Sequence, residues 1–97
     1  MQLEGRVKKL EAKRGGLDFV VFVWIEDEAT REGEVKAKLA AIREKTGVVL
    51  DLNAPNVHAE IMTVEHGRNI DLAPVDDTVL GIPNCRFMDY RRKRKAQ

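Results

Sequence analysis

Cysteine occurs once among the 97 residues, as Cys85, so no disulfide forms within the chain and a reducing compartment is favoured. The one long apolar run, Phe19 to Ile25, is seven residues. That is far short of the ~20 needed to span a bilayer as a helix. No signal-peptide pattern precedes it. These absences together predict a cytoplasmic protein without a membrane partner. A glycine-rich phosphate loop is also missing, which removes support for nucleotide binding. No internal repeat and no low-complexity tract precedes the C-terminal end.

Charge, by contrast, is plentiful and unevenly placed. Residues 1–17 carry five basic and two acidic side chains, residues 18–89 seven basic and fourteen acidic, and residues 90–97 five basic and none acidic. An acidic middle therefore lies between two basic ends, a layout suited to contact with a partner or another copy. The length fits one domain, and a 43% hydrophobic fraction argues against wholesale disorder. Three segments follow: an N-terminal helix over 1–16, an α/β globular part over 17–89, and a basic tail over 90–97.

Leu3, Val7 and Leu10 are spaced by four and then three residues, the seam of a short helix that Gly15-Gly16 ends. A helix this short is marginal alone and needs a surface to pack on. That surface is either its own domain or the same seam of a second copy, which makes a homo-oligomer the expectation. Phe19–Ile25 is entirely β-branched or aromatic and reads as a strand covered on both faces. After the acidic Glu26-Asp27-Glu28, the spacing of Val35, Leu39 and Ile42 predicts a helix over 29–46, with Asp27 or Thr30 as N-cap and Gly47 as its stop. Glu32–Lys36 and Glu34–Lys38 are i, i+4 pairs on its wet face.

Val48–Leu52 reads as the second strand of a βαβ unit. Residues 57–65 admit two readings. As a strand they turn at His66-Gly67 and return through Asn69–Leu72 as a hairpin; as a helix they bury Val57, Ile61 and Val64 and stop at Gly67. The β-branched Thr63-Val64 favours the hairpin. Val79-Leu80 and Cys85–Met88 are expected as short edge strands. The fold class is thus α/β or α+β, a small mixed sheet with one packed amphipathic helix and a short N-terminal helix, and strand 19–25 is expected at its centre.

Catalytic signatures are weak. His58-Ala59-Glu60 matches the His-x-Glu of zinc-dependent deaminases, but Asn84 separates Pro83 from Cys85 and Met88 stands where a second cysteine is required. A thioether does not replace a thiolate on zinc. His58, Glu60, His66 and Cys85 have no recognisable ligand spacing, and Glu26-Asp27-Glu28, at the C-terminal end of a strand, would need a further carboxylate such as Asp51 on the neighbouring strand to hold magnesium, against the plainer reading of helix capping and a solvated loop. No catalytic residue, metal ligand or cofactor is assigned. The clearest physical signal is Arg91-Arg92-Lys93-Arg94-Lys95, a run that gains by displacing counterions from a nucleic-acid backbone or by docking on an acidic protein surface. Phe87 and Tyr90 precede it and are placed to stack on bases.

The opening Leu3-Glu4-Gly5-Arg6-Val7-Lys8-Lys9-Leu10-Glu11-Ala12-Lys13-Arg14-Gly15-Gly16, run into the strand ending Trp24-Ile25-Glu26-Asp27-Glu28, resembles the small accessory proteins of bacteriophage and prophage genomes. The likeness covers the first thirty or so residues; it implies a setting, and no catalytic residue carries over from it. The functional expectation is a non-enzymatic binding or accessory protein that acts through self-assembly and contact with nucleic acid or another protein. The alternative is a small metal-dependent enzyme or metal-binding module.

Overall fold

Phe19–Ile25 forms strand β1, and every one of its seven residues is buried. The computed structural model describes residues 17–91, so the expected helix over 1–16, with Leu3, Val7 and Leu10, lies outside the described residues. The elements that follow β1 are a 3-10 turn at Glu28–Thr30, helix α1 at Arg31–Thr46, strand β2 at Val57–Thr63, helix α2 at Val64–Asn69 and strand β3 at Cys85–Asp89. The sheet is mixed, in the order β2-β1-β3, with β2 parallel and β3 antiparallel to β1. The apolar strand therefore takes the centre, as its two-sided hydrophobicity requires.

Alternation along β1 divides the core. Val21, Val23 and Ile25 face α1 and pack with Val35, Ile42, Ile82 and Cys85. Val20, Phe22 and Trp24 face the opposite way and pack with Leu17, Met62 and Leu72. Helix α1 starts behind Asp27, whose side chain accepts from the Ala29 N–H, and stops at Gly47, whose φ of 77° closes the helix at no steric cost. Thr30 occupies the N-cap of α1 without a side-chain cap bond. Lys36 pairs with Glu32 at 3.3 Å as expected. Glu34 and Lys38 do something else: Glu34 turns back to accept from the Glu26 N–H and the Thr30 hydroxyl, and Lys38 donates to the Pro83 carbonyl.

Three sequence expectations need correction. Val48–Leu52 is irregular, and the parallel partner of β1 is the later Val57–Thr63. Local side-chain bonds explain this: the Thr46 hydroxyl accepts from the Val48 N–H and the Asp51 carboxylate from the Asn53 N–H, which bends the chain away from an extended path. Leu50 and Leu52 still pack on the α1 side of the core, as loop residues. The hairpin expected at His66-Gly67 is replaced by α2, because Thr63 ends β2 and caps the helix through His66 N–H to Thr63 Oγ1. Val79-Leu80 forms no strand; both amides bind the Asp77 carboxylate in a tight loop.

A three-way contact fastens α2 to the sheet. Trp24 Nε1 donates to the Leu72 carbonyl at 2.8 Å, and the Leu72 N–H donates to the Gly67 carbonyl at 2.7 Å. A Cβ on Gly67 would stand 2.5 Å from the Leu72 oxygen and 2.8 Å from Trp24 Nε1. Gly67→Ala should therefore destabilise the domain by about 1–3 kcal/mol in urea unfolding, the usual range for overpacking. Gly33 sits in α1 with nothing within 4 Å of its added Cβ. Gly33→Ala should stabilise by about 0.5 kcal/mol in the same measurement.

Candidate functional site

The edge of β3 leads directly into the basic run, so the site is built from there. In the antiparallel pairing with β1, the amides of Arg86 and Met88 face β1, while those of Cys85 and Phe87 face outward. These two, of the three outward amides that end with Asp89, are satisfied by the preceding loop: Cys85 N–H donates to the Val75 carbonyl at 3.0 Å and Phe87 N–H to Asp77 Oδ2 at 3.1 Å. The other carboxylate oxygen of Asp77 accepts from the Val79 and Leu80 amides at 3.1 and 3.0 Å. Asp77 is 2% exposed, so a buried carboxylate with three N–H donors holds the loop against the strand.

Beyond this loop lies a cleft of about 500 Å³ lined by Val79, Leu80, Arg86, Phe87, Asp89 and Arg91, among others. Arg91 reaches Asp89 through two bonds, Nε to Oδ1 at 3.1 Å and Nη2 to Oδ2 at 2.9 Å. Its guanidinium also lies 4.7 Å from the centre of the Phe19 ring. The Asp89 carboxylate holds the Arg91 pKa above its ordinary value. Of the five residues expected to bind nucleic acid, Arg91 is the one within the described residues, and it is committed to Asp89 and Phe19. Arg92, Lys93, Arg94 and Lys95 lie outside them. Phe87 stacks on Phe19 at 5.9 Å, and Tyr90 packs against the core with its hydroxyl 3.4 Å from the Met88 sulfur. Both rings are half-buried, and Phe87 lines the cleft.

The candidate chemistry elsewhere is dispersed. His58 and Glu60 share the Trp24 side of β2, with Nε2 to Oε2 at 3.4 Å. Cys85 lies on the α1 side, so the sheet separates it from both. Burial pushes the Cys85 thiol up to about 11, with Asp77 adding to the rise and Lys38 opposing it. A thiol in that state is a poor nucleophile and a poor metal ligand at neutral pH. His66 is exposed on α2. In the acidic cluster, Asp27 caps the 3-10 turn, Glu28 pairs with Arg31 at 3.1 Å, and Asp51 closes its own turn. No three metal-ligating side chains are gathered among the described residues, and no helix among them is long and apolar enough to cross a membrane.

No family model, no curated protein and no solved structure matches this chain. The residues that sequence reasoning passed over are Asp77 and Arg86. Asp77 had a legible signal, an Asp two residues before the pair Val79-Leu80 and four before Gly81, the pattern of a side chain that caps a turn. Arg86 had none, because its place on the cleft follows from strand pairing.

Two predictions follow from this arrangement. Asp77→Asn must turn an NH2 toward one of the backbone donors it now accepts from, so unfolding free energy should fall by about 1–3 kcal/mol, with faster amide exchange at Phe87 or at Val79 and Leu80. The second concerns acid. Hydrogen bonds from Thr30 and the Glu26 N–H hold the Glu34 carboxyl below its ordinary 4.5. A depressed folded-state value adds stability above the unfolded value and loses it as pH falls through the folded one. Glu34→Gln should therefore lower the melting temperature at pH 6–7, and the difference should shrink as pH falls below 4.5 and through the folded value.

Proposed function

We propose that this protein is a small non-enzymatic binding protein that carries a basic arm, Arg92-Lys93-Arg94-Lys95, toward nucleic-acid phosphates. The observation that supports the reading is the anchoring of Arg91. Its ion pair with Asp89 and its contact with Phe19 hold the residue that immediately precedes the next four cations in sequence. Arg86 lines the cleft at the same place and has no ion-pair partner among the described residues. A held neighbour matters because residues 18–89 are net acidic and repel phosphates. Recognition of this kind reads charge and not sequence. The alternative of a metal-dependent module draws no support from side chains lying on opposite faces of the sheet. The bacteriophage setting suggested by residues 3–28 is compatible with a nucleic-acid partner and rests on that resemblance alone.

The test is a titration of fluorescent duplex DNA at several salt concentrations. With Arg91 spoken for, four cations remain, and log K against log salt should have a slope of about −3.6, at 0.9 per phosphate contact. Replacing Arg92, Lys93, Arg94 and Lys95 together by Ala should abolish binding at low salt and leave the melting temperature unchanged. Arg91→Ala should keep the slope and lower the melting temperature, because it breaks contacts inside the fold. Equal DNA binding by the intact protein and the four-alanine variant would overturn the proposal.

A further inference from the structure

The two edges of the sheet are treated differently. On β3 the outward amides of Cys85 and Phe87 are taken up by Val75 and Asp77. On β2 the pairing with β1 uses the amides of His58, Glu60 and Met62, since Phe19 N–H donates to the Asn56 carbonyl and the parallel register runs from Phe19↔Val57 to Ile25↔Thr63. The amides of Val57, Ala59 and Ile61 therefore point away from the sheet. Val57 N–H is satisfied by the Ala54 carbonyl at 3.1 Å. Among the described residues, nothing pairs with the backbone of Ala59 or Ile61, and β2 is the outer strand.

Open edges are ordinarily guarded by proline, a bulge, a covering loop or isolated charges. Val57–Thr63 contains no proline, and its register against β1 is unbroken over all seven residues. The polar residues it does carry, His58 and Glu60, flank Ala59 and point to the same face. His58 Nε2 is buried and makes no hydrogen bond, although Glu60 Oε2 is 3.4 Å away.

We propose that β2 is an assembly edge whose partner is the β2 of a second copy, paired antiparallel about a two-fold axis at Ala59. This register is selected by the residues. It sets each His58 directly opposite the other chain's Glu60, on one face, and each Val57 opposite the other chain's Ile61, on the face toward α1. Ala59 N–H and carbonyl exchange bonds with their counterparts, and each Ile61 N–H meets the other chain's Val57 carbonyl. A two-fold at Glu60 would place like charges against each other, and one at Ile61 would face Glu60 with Met62. A groove of about 460 Å³, lined by Val35, Leu39, Leu50, Leu52 and Ile61 among others, runs beside this edge on the α1 side. The second copy's Val57 arrives next to it. The result is a continuous six-stranded sheet with both ends closed by the Asp77 loops, an isologous dimer that is self-limiting. The interface needs neither the basic arm nor the Leu3, Val7 and Leu10 seam.

Sedimentation of the full chain tests it. The parent should sediment at twice its 11.0 kDa mass at high-micromolar concentration. Ala59→Pro removes an outward N–H and leaves the bonds to β1 in place, so it should weaken the dimer at least tenfold. His58→Glu should weaken it similarly by setting two carboxylates opposite one another, Glu60→Lys should weaken it by removing the carboxylate that faces the other chain's His58, and mixing the two variants should restore a dimer through a pair between the introduced glutamate and the introduced lysine. If Ala59→Pro shows a lost circular-dichroism spectrum, the charge pair alone decides, since both of its positions are on the sheet face. A monomeric parent would overturn the inference. So would a dimer that survives His58→Glu and Ala59→Pro, or one that dissolves only on replacing Leu3, Val7 and Leu10 by Ala.

Discussion

Everything in this fold follows from the need to bury β1 on both faces. Seven consecutive β-branched and aromatic residues cannot be left half in water, since burying each large apolar side chain is worth roughly 1.5–3 kcal/mol. The strand is therefore central, with β2 and β3 on either side, α1 on one face and the Leu17, Met62 and Leu72 cluster on the other. The position of each later element can be traced to which part of β1 it covers. Val35 and Ile42 set the rotation of α1. Trp24 sets the place of α2, because its indole N–H, once buried, must find an acceptor and finds Leu72.

The acidic middle of the chain is largely spent on backbone groups. Asp27, Asp51 and Asp77 each hold amides of their own loop, and Glu34 holds the N–H of Glu26 across the β1–α1 connection. This explains why a carboxylate-rich chain gathers no cation site among its described residues. Asp77 accepts three N–H bonds and has little left to share with a metal, and the four carboxylates lie at separate turns. The basic side chains are used otherwise. Arg91 and Lys38 are tied to Asp89 and the Pro83 carbonyl, and the remaining positive charge is concentrated toward the ends of the chain.

The contrast between the two sheet edges joins these themes. One edge is closed by a buried carboxylate and the loop it organises; the other carries His58 and Glu60 on either side of Ala59. A small domain of this size buries a limited fraction of its surface. An edge that no described residue pairs has a physical use on such a domain, because pairing it adds backbone hydrogen bonds and apolar contact without enlarging the chain. The proposed nucleic-acid arm follows Arg91 in sequence, and β3 lies on the far side of β1 from that edge.

The sequence by itself determined β1, α1 with its Gly47 stop, the strand at Cys85–Asp89, and the mixed sheet with one large helix. Each of these is carried by a local signal: an unbroken apolar run, a 3.6-residue period, a glycine with positive φ. Tertiary structure alone decided which segment became the parallel partner of β1. Val48–Leu52 has the better local pattern, but its neighbours Thr46 and Asp51 bond to their own backbone, and Val57–Thr63 arrives through a turn that presents the Asn56 carbonyl to β1. The same holds for α2, where Gly67 looked like a hairpin residue and is in fact the one side chain small enough to lie against Trp24. It holds as well for Arg91, read from sequence as a free cation and held in the fold by Asp89 and Phe19. Periodicity and composition report what each residue prefers beside its chain neighbours; they do not report which distant backbone group it will meet. That is settled when β1 is buried and every polar group near it must find a partner.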